Sequence, residues 1–438
     1  MTENQNTEWK STWHDDYLKW VCGFANGNGG RIYIGKNDNG HVIGLSDYKN
    51  LMDSLPNKIR DWLGIVCEVN LYQDRGLHFI EIITPPYSVP VSLRGRYYYR
   101  SGSTKIELIG VALNEFLLKK AGKTWDDVSE SGAALSDISE DSIKAFLKDG
   151  AKSGRMPEET NIKTIDVLEK LRLLDHGHLK RAAIILFARD PNRFYPNIKV
   201  KIGRFGNDEI DLKFQEEIEG NIIQLLQKVP EILNNKFFVK KIYFEGLLRI
   251  EKEEYPVAAI REMLLNALVH RVYIGSAVQL RVYDNKLTLW NEGPLPAGLE
   301  LAALKRTHSS KPRNLLIADV CFKAGYIDLW GRGTLKIIQS CTDAGLPEPD
   351  IQEIDGGILV TLYKDKYVIE QLKKLGLNDR QIKAVEYVKE KSSISNSDYQ
   401  NLNNIRKTTA TEELSKLVEF GIFNAPVTKG RGAKYTLI

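Results

Sequence analysis

Cysteine is scarce. The 438 residues contain four (Cys22, Cys67, Cys321 and Cys341), far apart and never in a Cys-x-x-Cys pair. That spacing excludes a disulfide scaffold and argues against structural zinc. No run of 18 apolar residues occurs, so no membrane-spanning helix is expected. Residues 1–16 are polar and charged, unlike a signal peptide, and a cytoplasmic protein is expected. A dominant charge is missing too. With 61 Lys and Arg against 57 Asp and Glu, the net charge is +4, so any nucleic-acid-binding surface must be local. A phosphate loop is also absent. Residues 30–36 nearly spell Gly-x4-Gly-Lys, but Asn37 stands where Ser or Thr is required, and Ile32-Tyr-Ile reads as a strand. Without another such loop, a P-loop helicase motor is excluded.

What is present is an ordinary globular composition, 42% hydrophobic and 27% charged, in a chain too long for one core. Its central stretch is 258–271, Ala-Ala-Ile-Arg-Glu-Met-Leu-Leu-Asn-Ala-Leu-Val-His-Arg. Strong helix formers after Pro256 predict a helix. At 3.6 residues per turn, Glu262, Asn266 and His270 fall within an arc of about 80°. Most other positions are apolar, so the helix is expected to be buried, and a buried polar stripe needs partners. A carboxylate, an amide and an imidazole suit a magnesium-bound phosphate. Glu262 would orient or deprotonate water, Asn266 would ligate Mg²⁺ and His270 would donate to phosphate. The alternative is a helix whose Glu and Asn hydrogen-bond a neighbouring strand.

Downstream, 278–283 and 286–290 alternate as strands about an Asp284-Asn285 turn. Asn291-Glu-Gly-Pro-Leu-Pro forms a loop, and 307–314 (Thr-His-Ser-Ser-Lys-Pro-Arg-Asn) is polar and mobile in character. Gly331 and Gly333 precede a helix, where backbone N–H groups can meet phosphate. This order, over about 251–364, resembles the GHKL ATPase fold of gyrase, heat-shock chaperones, histidine kinases and MutL. More closely, it resembles the divergent GHKL-type domain that follows a Schlafen AlbA-like domain in bacterial proteins. The resemblance implies ATP and Mg²⁺ held by Asn266, His270, Asn291, Gly293, Ser309, Ser310, Arg313, Gly331 and Gly333, with Asn266 on the metal and Glu262 activating water. Where that superfamily carries an Asp-x-Gly-x-Gly adenine loop, this chain has Asn291-Glu-Gly-Pro-Leu, which puts the adenine specificity in question.

In the amino-terminal region, 16–25 reads as a helix ended by Asn26-Gly-Asn-Gly-Gly30, and 31–35 as a strand. A turn at Asn37-Asp-Asn-Gly40 leads to a strand at 41–45, then a helix (48–63) and strands near 67–72, 77–84 and 96–100. Glu8-Trp-Lys10, Gly23-Phe-Ala-Asn-Gly-Asn-Gly-Gly30, Ile34-Gly-Lys-Asn-Asp-Asn-Gly40 and Tyr97-Tyr-Tyr-Arg-Ser-Gly-Ser103 occur in the order of the Schlafen AlbA-like domain. That resemblance implies a DNA-binding module. Vertebrate Schlafens carry a three-carboxylate RNase site there. Glu3, Glu8 and Asp38 stand at the matching positions, with Asn37 replacing the first Asp of the turn. Three converging carboxylates could hold a metal for phosphodiester hydrolysis. The alternative pairs Glu8 with Lys10 or Arg100 and leaves Asp38 an ordinary turn residue.

Between these regions, Ser139 caps a helix, 164–174 is an amphipathic helix, and the apolar run 181–187 reads as a buried strand. This stretch is expected to serve as scaffold and dimer surface. The tail reads as a winged helix: helices at 379–388, 395–402 and 406–420, then wing strands around Lys429-Gly-Arg-Gly432. From Asn378 on it has ten Lys and Arg against seven Asp and Glu. Arg406, Lys407, Lys429 and Arg431 lie where such domains meet groove and phosphate.

The fold expected is a multidomain α/β (α+β) protein: a Schlafen AlbA-like domain (1–122), a connecting α/β region (123–250), a GHKL-like sandwich (251–366) and a winged helix-turn-helix (376–438). The function expected is a nucleotide-responsive, double-stranded-DNA-binding transcriptional regulator or defence-type sensor, acting as a homo-oligomer away from membranes. A metal-dependent Schlafen-like nuclease on RNA or DNA, regulated by ATP, is the alternative; a third reading is an inactive dimeric scaffold.

Overall fold

The computed structural model describes residues 4–158, 162–206, 208–239, 241–296, 299–328, 330–426 and 433–438. The chain divides into two compact units, residues 1–128 and 129–438.

The first unit holds β1 (Thr7–Lys10), α1 (Leu18–Asn26), β2 (Gly30–Ile34), α2 (Tyr48–Leu63), β3 (Glu68–Asp74), β4 (Leu77–Thr84), β5 (Tyr97–Ser101), β6 (Thr104–Leu108) and α3 (Gly110–Lys120). Its main sheet runs β1-β2-β4-β3, with β1 parallel to β2. Ile32, Ile34, Ile80 and Ile82 alternate along β2 and β4 and pack against Leu18, Val21 and Phe24 of α1 and Leu55 and Ile59 of α2. The period of two in the strands and the helical spacing in α1 produce this one shared core. The strand expected at 41–45 is reduced to a bridge between Lys36 and Val42.

The second unit begins with α4 (Glu140–Lys152), α5 (Thr164–Lys170), a short ladder of β7 (Leu174–Asp175) and β8 (His178–Leu179), and α6 (Arg181–Phe187). The run 181–187 is therefore a helix, not the buried strand its composition suggested. Every residue from Ala182 to Phe187 is fully buried, and a run apolar on all sides carries no period to separate helix from strand.

β9 (Lys199–Phe205), β10 (Leu212–Glu219), α7 (Ile222–Ile232), the hairpin β11 (Lys241–Glu245) and β12 (Leu248–Lys252), and α8 (Val257–His270) follow. Then come β13 (Val278–Val282), β14 (Lys286–Glu292), α9 (Leu315–Lys323), α10 (Gly333–Asp343), β15 (Asp350–Ile354) and β16 (Gly357–Tyr363). They form a six-stranded sheet, β10-β9-β13-β14-β16-β15, antiparallel except at β9–β13. Helix α8 lies against β14 and beside α7 and α10.

The chain ends with α11 (Ile369–Lys374), α12 (Asp379–Lys391), β17 (Ile394–Ser395), α13 (Asn396–Asn403), α14 (Lys407–Glu419), β18 (Phe423–Asn424) and β19 (Lys434–Leu437). Three helices and a β17-β19-β18 sheet enclose their own core, including Val385, Tyr399, Leu414 and Phe423. The molecule is a mixed α+β, multidomain protein. Among the described residues, no helix is long and apolar enough to cross a membrane.

Candidate nucleotide-binding cleft

Helix α8 is apolar on nearly every side, and Met263, Leu264, Leu265 and Leu268 are buried. Its polar stripe therefore cannot reach bulk water and opens into a cleft instead. Glu262, Asn266 and His270 line that cleft, together with Asn291 near the end of β14 and Gly293 just after it, Ser309, Ser310 and Arg313 of the loop before α9, and Gly331 and Gly333 at the start of α10. Ten residues from four separated segments meet in one place. Counted together with the open solvent at its mouth, the cleft spans about 1150 Å³. Leu289, Leu304, Ile337, Ile358 and Val360 supply an apolar wall.

No described residue hydrogen-bonds the side chains of Glu262, Asn266 or His270. The neighbouring-strand partners that would make the stripe purely structural are not found. Burial raises the Glu262 carboxyl above its usual range; Lys336 opposes this, Asp328 adds to it and Arg261 opposes it. A carboxyl tuned upward suits a proton acceptor working near neutral pH. The imidazole of His270 is pushed down to about 4, first by burial and then by the Arg313 guanidinium. Part of the residue still touches solvent at the cleft, but its ring lies deep enough to stay neutral at physiological pH.

Glycine is required at two positions. A Cβ on Gly333 would fall 2.4 Å from Glu262 Oε1, so only glycine lets the start of α10 approach the α8 stripe. Gly331 has φ +65°, and a Cβ there would sit 1.8 Å from the His308 carbonyl oxygen. His308 Nδ1 lies 2.8 Å from the Gly331 carbonyl oxygen, which clasps the polar loop onto the glycine turn. No side chain caps the amino terminus of α10, leaving its first amides for an anion. Arg313 donates to the Pro294 carbonyl at 3.0 Å and so ties the same loop to the segment after β14. Asn314 closes the end of α8 by donating to the carbonyls of Val269 (2.8 Å) and Arg271 (3.0 Å).

Sequence reasoning passed over His308, Lys311, Asp328, Thr334 and Lys336. The first four line the cleft, and Lys336 pairs with Asp328 at 2.7 Å. All five lie inside segments already singled out, but single-letter motifs gave no reason to prefer them.

The amino-terminal carboxylates are placed differently. Glu8 is 1% exposed and accepts from Arg100 at 2.7 Å and from Lys10. Arg100, equally buried, also donates to the Asn4 carbonyl at 2.7 Å and lies 4.5 Å from the Trp20 ring centroid. Asp38 is exposed in the turn after β2, and Glu3 lies outside the described residues. Among the described residues, no group of three His, Cys, Asp or Glu could hold a metal ion. In the tail, Arg406 and Lys407 are exposed at the start of α14, while Lys429 and Arg431 lie outside the described residues.

Two family models match the chain. Residues 275–362 match "Putative ATP-dependent DNA helicase recG C-terminal", and residues 3–108 match "Schlafen, AlbA_2". The first covers β13 to β16, including the glycine loop, the clasped loop and the start of α10. Among curated proteins, none matches the chain. Of solved structures, the DIP2311 protein from Corynebacterium diphtheriae is 19% identical over 99% of this chain and 92% of its own, with a TM-score of 0.45. The N-terminal domain of a putative ATP-dependent DNA helicase RecG-related protein from Nitrosomonas europaea is 22% identical. It covers 24% of this chain and 82% of its own, with a TM-score of 0.17. The chain is thus similar to a Schlafen AlbA_2 domain over 3–108 and to the carboxy-terminal part of a putative ATP-dependent DNA helicase over 275–362.

Proposed function

We propose that the chain is a nucleotide-responsive DNA-binding regulator, which takes Mg²⁺-bound ATP in the α8 cleft and duplex DNA on its carboxy-terminal domain. The observation that carries this is the unpartnered Glu262-Asn266-His270 stripe, which faces the uncapped start of α10 across Gly333. A magnesium nucleotide fits these residues. Asn266 offers an amide oxygen to the cation, and the α10 amides, Arg313 and Lys311 surround the phosphates. Bound Mg²⁺ would neutralise phosphate charge. Glu262, with its raised pKa, orients and deprotonates the attacking water, and neutral His270 donates one hydrogen bond. Asn291, 6% exposed and on the cleft lining, stands in the sequence in place of the adenine-loop Asp; an amide both donates and accepts, so purine choice would be relaxed relative to an Asp. Since the chain has no P-loop, nucleotide use is assigned to this cleft and not to a helicase motor.

The carboxy-terminal domain is read as a winged helix, with α14 as its recognition helix. Arg406 and Lys407 meet phosphate at its start, and the sequence adds Lys429 and Arg431, outside the described residues, as further phosphate contacts. Duplex affinity of the full chain, titrated against salt, tests this reading. Loss of one phosphate contact in Lys407→Ala lowers the log–log slope by about one unit across sequences. Slopes unchanged in all four alanine variants would remove the winged helix from DNA binding. For the cleft, Glu262→Ala should bind ATP but not hydrolyse it, whereas Asn266→Ala should lose Mg²⁺-dependent binding.

A further inference from the structure

Helix α9 ends at Lys323, and the turn that follows carries the chain to Ile327 and Asp328 on the cleft wall. That turn is gripped from outside by the end of α4 and the turn just after it. Arg155 Nη1 donates to the Phe322 carbonyl at 2.7 Å and to the Ile327 carbonyl at 2.6 Å, and its guanidinium lies 4.2 Å from the Phe322 ring centroid. One guanidinium thus spans the turn and fixes the distance between its two ends. Tyr326, at the centre, donates its hydroxyl to Asp149 at 2.6 Å. The fit beneath is close: a Cβ on Gly325 (φ +80°) would sit 2.3 Å from the Ser153 Cβ, and one on Gly150 would sit 3.2 Å from the Lys323 carbonyl oxygen. On the cleft side, Asp328 accepts from the Trp330 amide at 3.2 Å and pairs with Lys336 of α10. The same short turn therefore has one end on α4 and the other on the segment that leads to Gly331 and Gly333.

We infer that Arg155, with the Asp149–Tyr326 pair, is a positioning latch that transmits occupancy of the cleft to α4. The inference rests on the nucleotide reading of the cleft. A ligand held between α8 and the start of α10 shifts Asp328 and Ile327. Because Arg155 bonds the Ile327 carbonyl directly, that shift must either move α4 or break the bond. Lysine cannot replace arginine fully: an ammonium has the protons to reach both carbonyls, but it loses the flat stacking of the guanidinium on the Phe322 ring. A latch that only capped α9 would stabilise the fold equally with and without ligand.

The test is hydrogen exchange of the full-length protein with and without Mg²⁺ and a non-hydrolysable ATP analogue, with affinity measured in parallel by calorimetry. In the wild type, ligand should slow exchange at both 327–336 and 140–156. In Arg155→Ala the first region should still respond and the second should not, with affinity about fivefold weaker, the low end of measured site coupling. Arg155→Lys should fall between the two. Tyr326→Phe, which removes one hydroxyl and keeps the ring packed, should weaken the α4 response without unfolding the turn. A wild type that binds the analogue with no change at 140–156 overturns the latch alone, as does an Arg155→Ala variant that responds like wild type. A wild type that binds no nucleotide overturns the reading of the cleft and the latch with it.

Discussion

At the scale of single residues, the most consequential fact is which charged groups are satisfied inside the protein and which face the cleft. Glu8 belongs to the first kind. Its carboxylate is enclosed with Arg100, whose Nε finds no acceptor, so the guanidinium depends on Glu8 and two backbone carbonyls. Breaking a buried pair by removing one partner leaves an uncompensated charge. Glu8→Ala is expected to destabilise the amino-terminal unit by about 3–5 kcal/mol, read by denaturant unfolding. A change below about 1 kcal/mol, the surface-pair range, would show that Glu8 is free for other work.

His270 belongs to the second kind and gives a pH signature. Its folded-state pKa, about 4, lies below the usual value of 6.5, so the unfolded chain binds the proton more readily. The stability this contributes is complete above pH 6.5 and is lost as pH falls from 6.5 towards 4, by up to about 1.4 kcal/mol per pH unit. As pH falls through that window, the wild type should therefore lose melting temperature that His270→Asn retains. Glu262 has the opposite sign. Its raised pKa means that its protonated form is favoured by folding, so its contribution falls as pH rises through that pKa.

At the scale of elements, α14 is held by a carboxylate within its own length. Glu413 is buried and accepts from Arg380 through two nitrogens, from Asn378 Nδ2 at 2.9 Å and from Tyr399 Oη at 2.8 Å, which joins three helices at one point. The Arg380 bond, then those from Tyr399 and Asn378, outweigh burial and hold its pKa below the usual range. That stability is present above the ordinary Glu pKa and is lost as pH falls through the depressed one. Glu413→Ala should lower the stability of the carboxy-terminal domain by about 2–3 kcal/mol, as expected when a buried acceptor of charged donors is removed. Circular-dichroism melts would record it as an earlier transition, and an unchanged melt would contradict it.

Elements also show how far the sequence could be read. Helix α8 was legible because Pro256 fixes its start and a polar stripe at i, i+4, i+8 interrupts an otherwise apolar surface. The β13–β14 hairpin was legible from alternation and an Asp-Asn turn. Helix α6 was not, because burial on every side erases period. The start of a helix at Gly333 was legible from Gly331 and Gly333, but not that Gly333 would face Glu262. That needs the long-range packing of α10 on α8, which no local pattern encodes. The pairing of Glu8 with Lys10 or Arg100 was legible as an alternative, but not the depth to which Arg100, 92 residues away, buries it.

At the scale of the whole molecule, a nucleotide-responsive regulator of the kind proposed needs its cleft coupled to the proposed DNA-binding surface. Coupling between two binding sites is reciprocal: if nucleotide tightens DNA by some factor, DNA must tighten nucleotide by the same factor. Measuring both affinities in one buffer checks this, and unequal factors would show that one signal is not equilibrium binding at the assigned site.

The central claim is that the α8 stripe holds a magnesium nucleotide, and calorimetric titration of a non-hydrolysable ATP analogue into the full-length protein tests it most directly. The account predicts a single site per chain whose heat disappears when Mg²⁺ is chelated or when Asn266 is replaced by Ala, and persists in Glu262→Ala. No heat in the wild type, or equal affinity in wild type and Asn266→Ala, would contradict it.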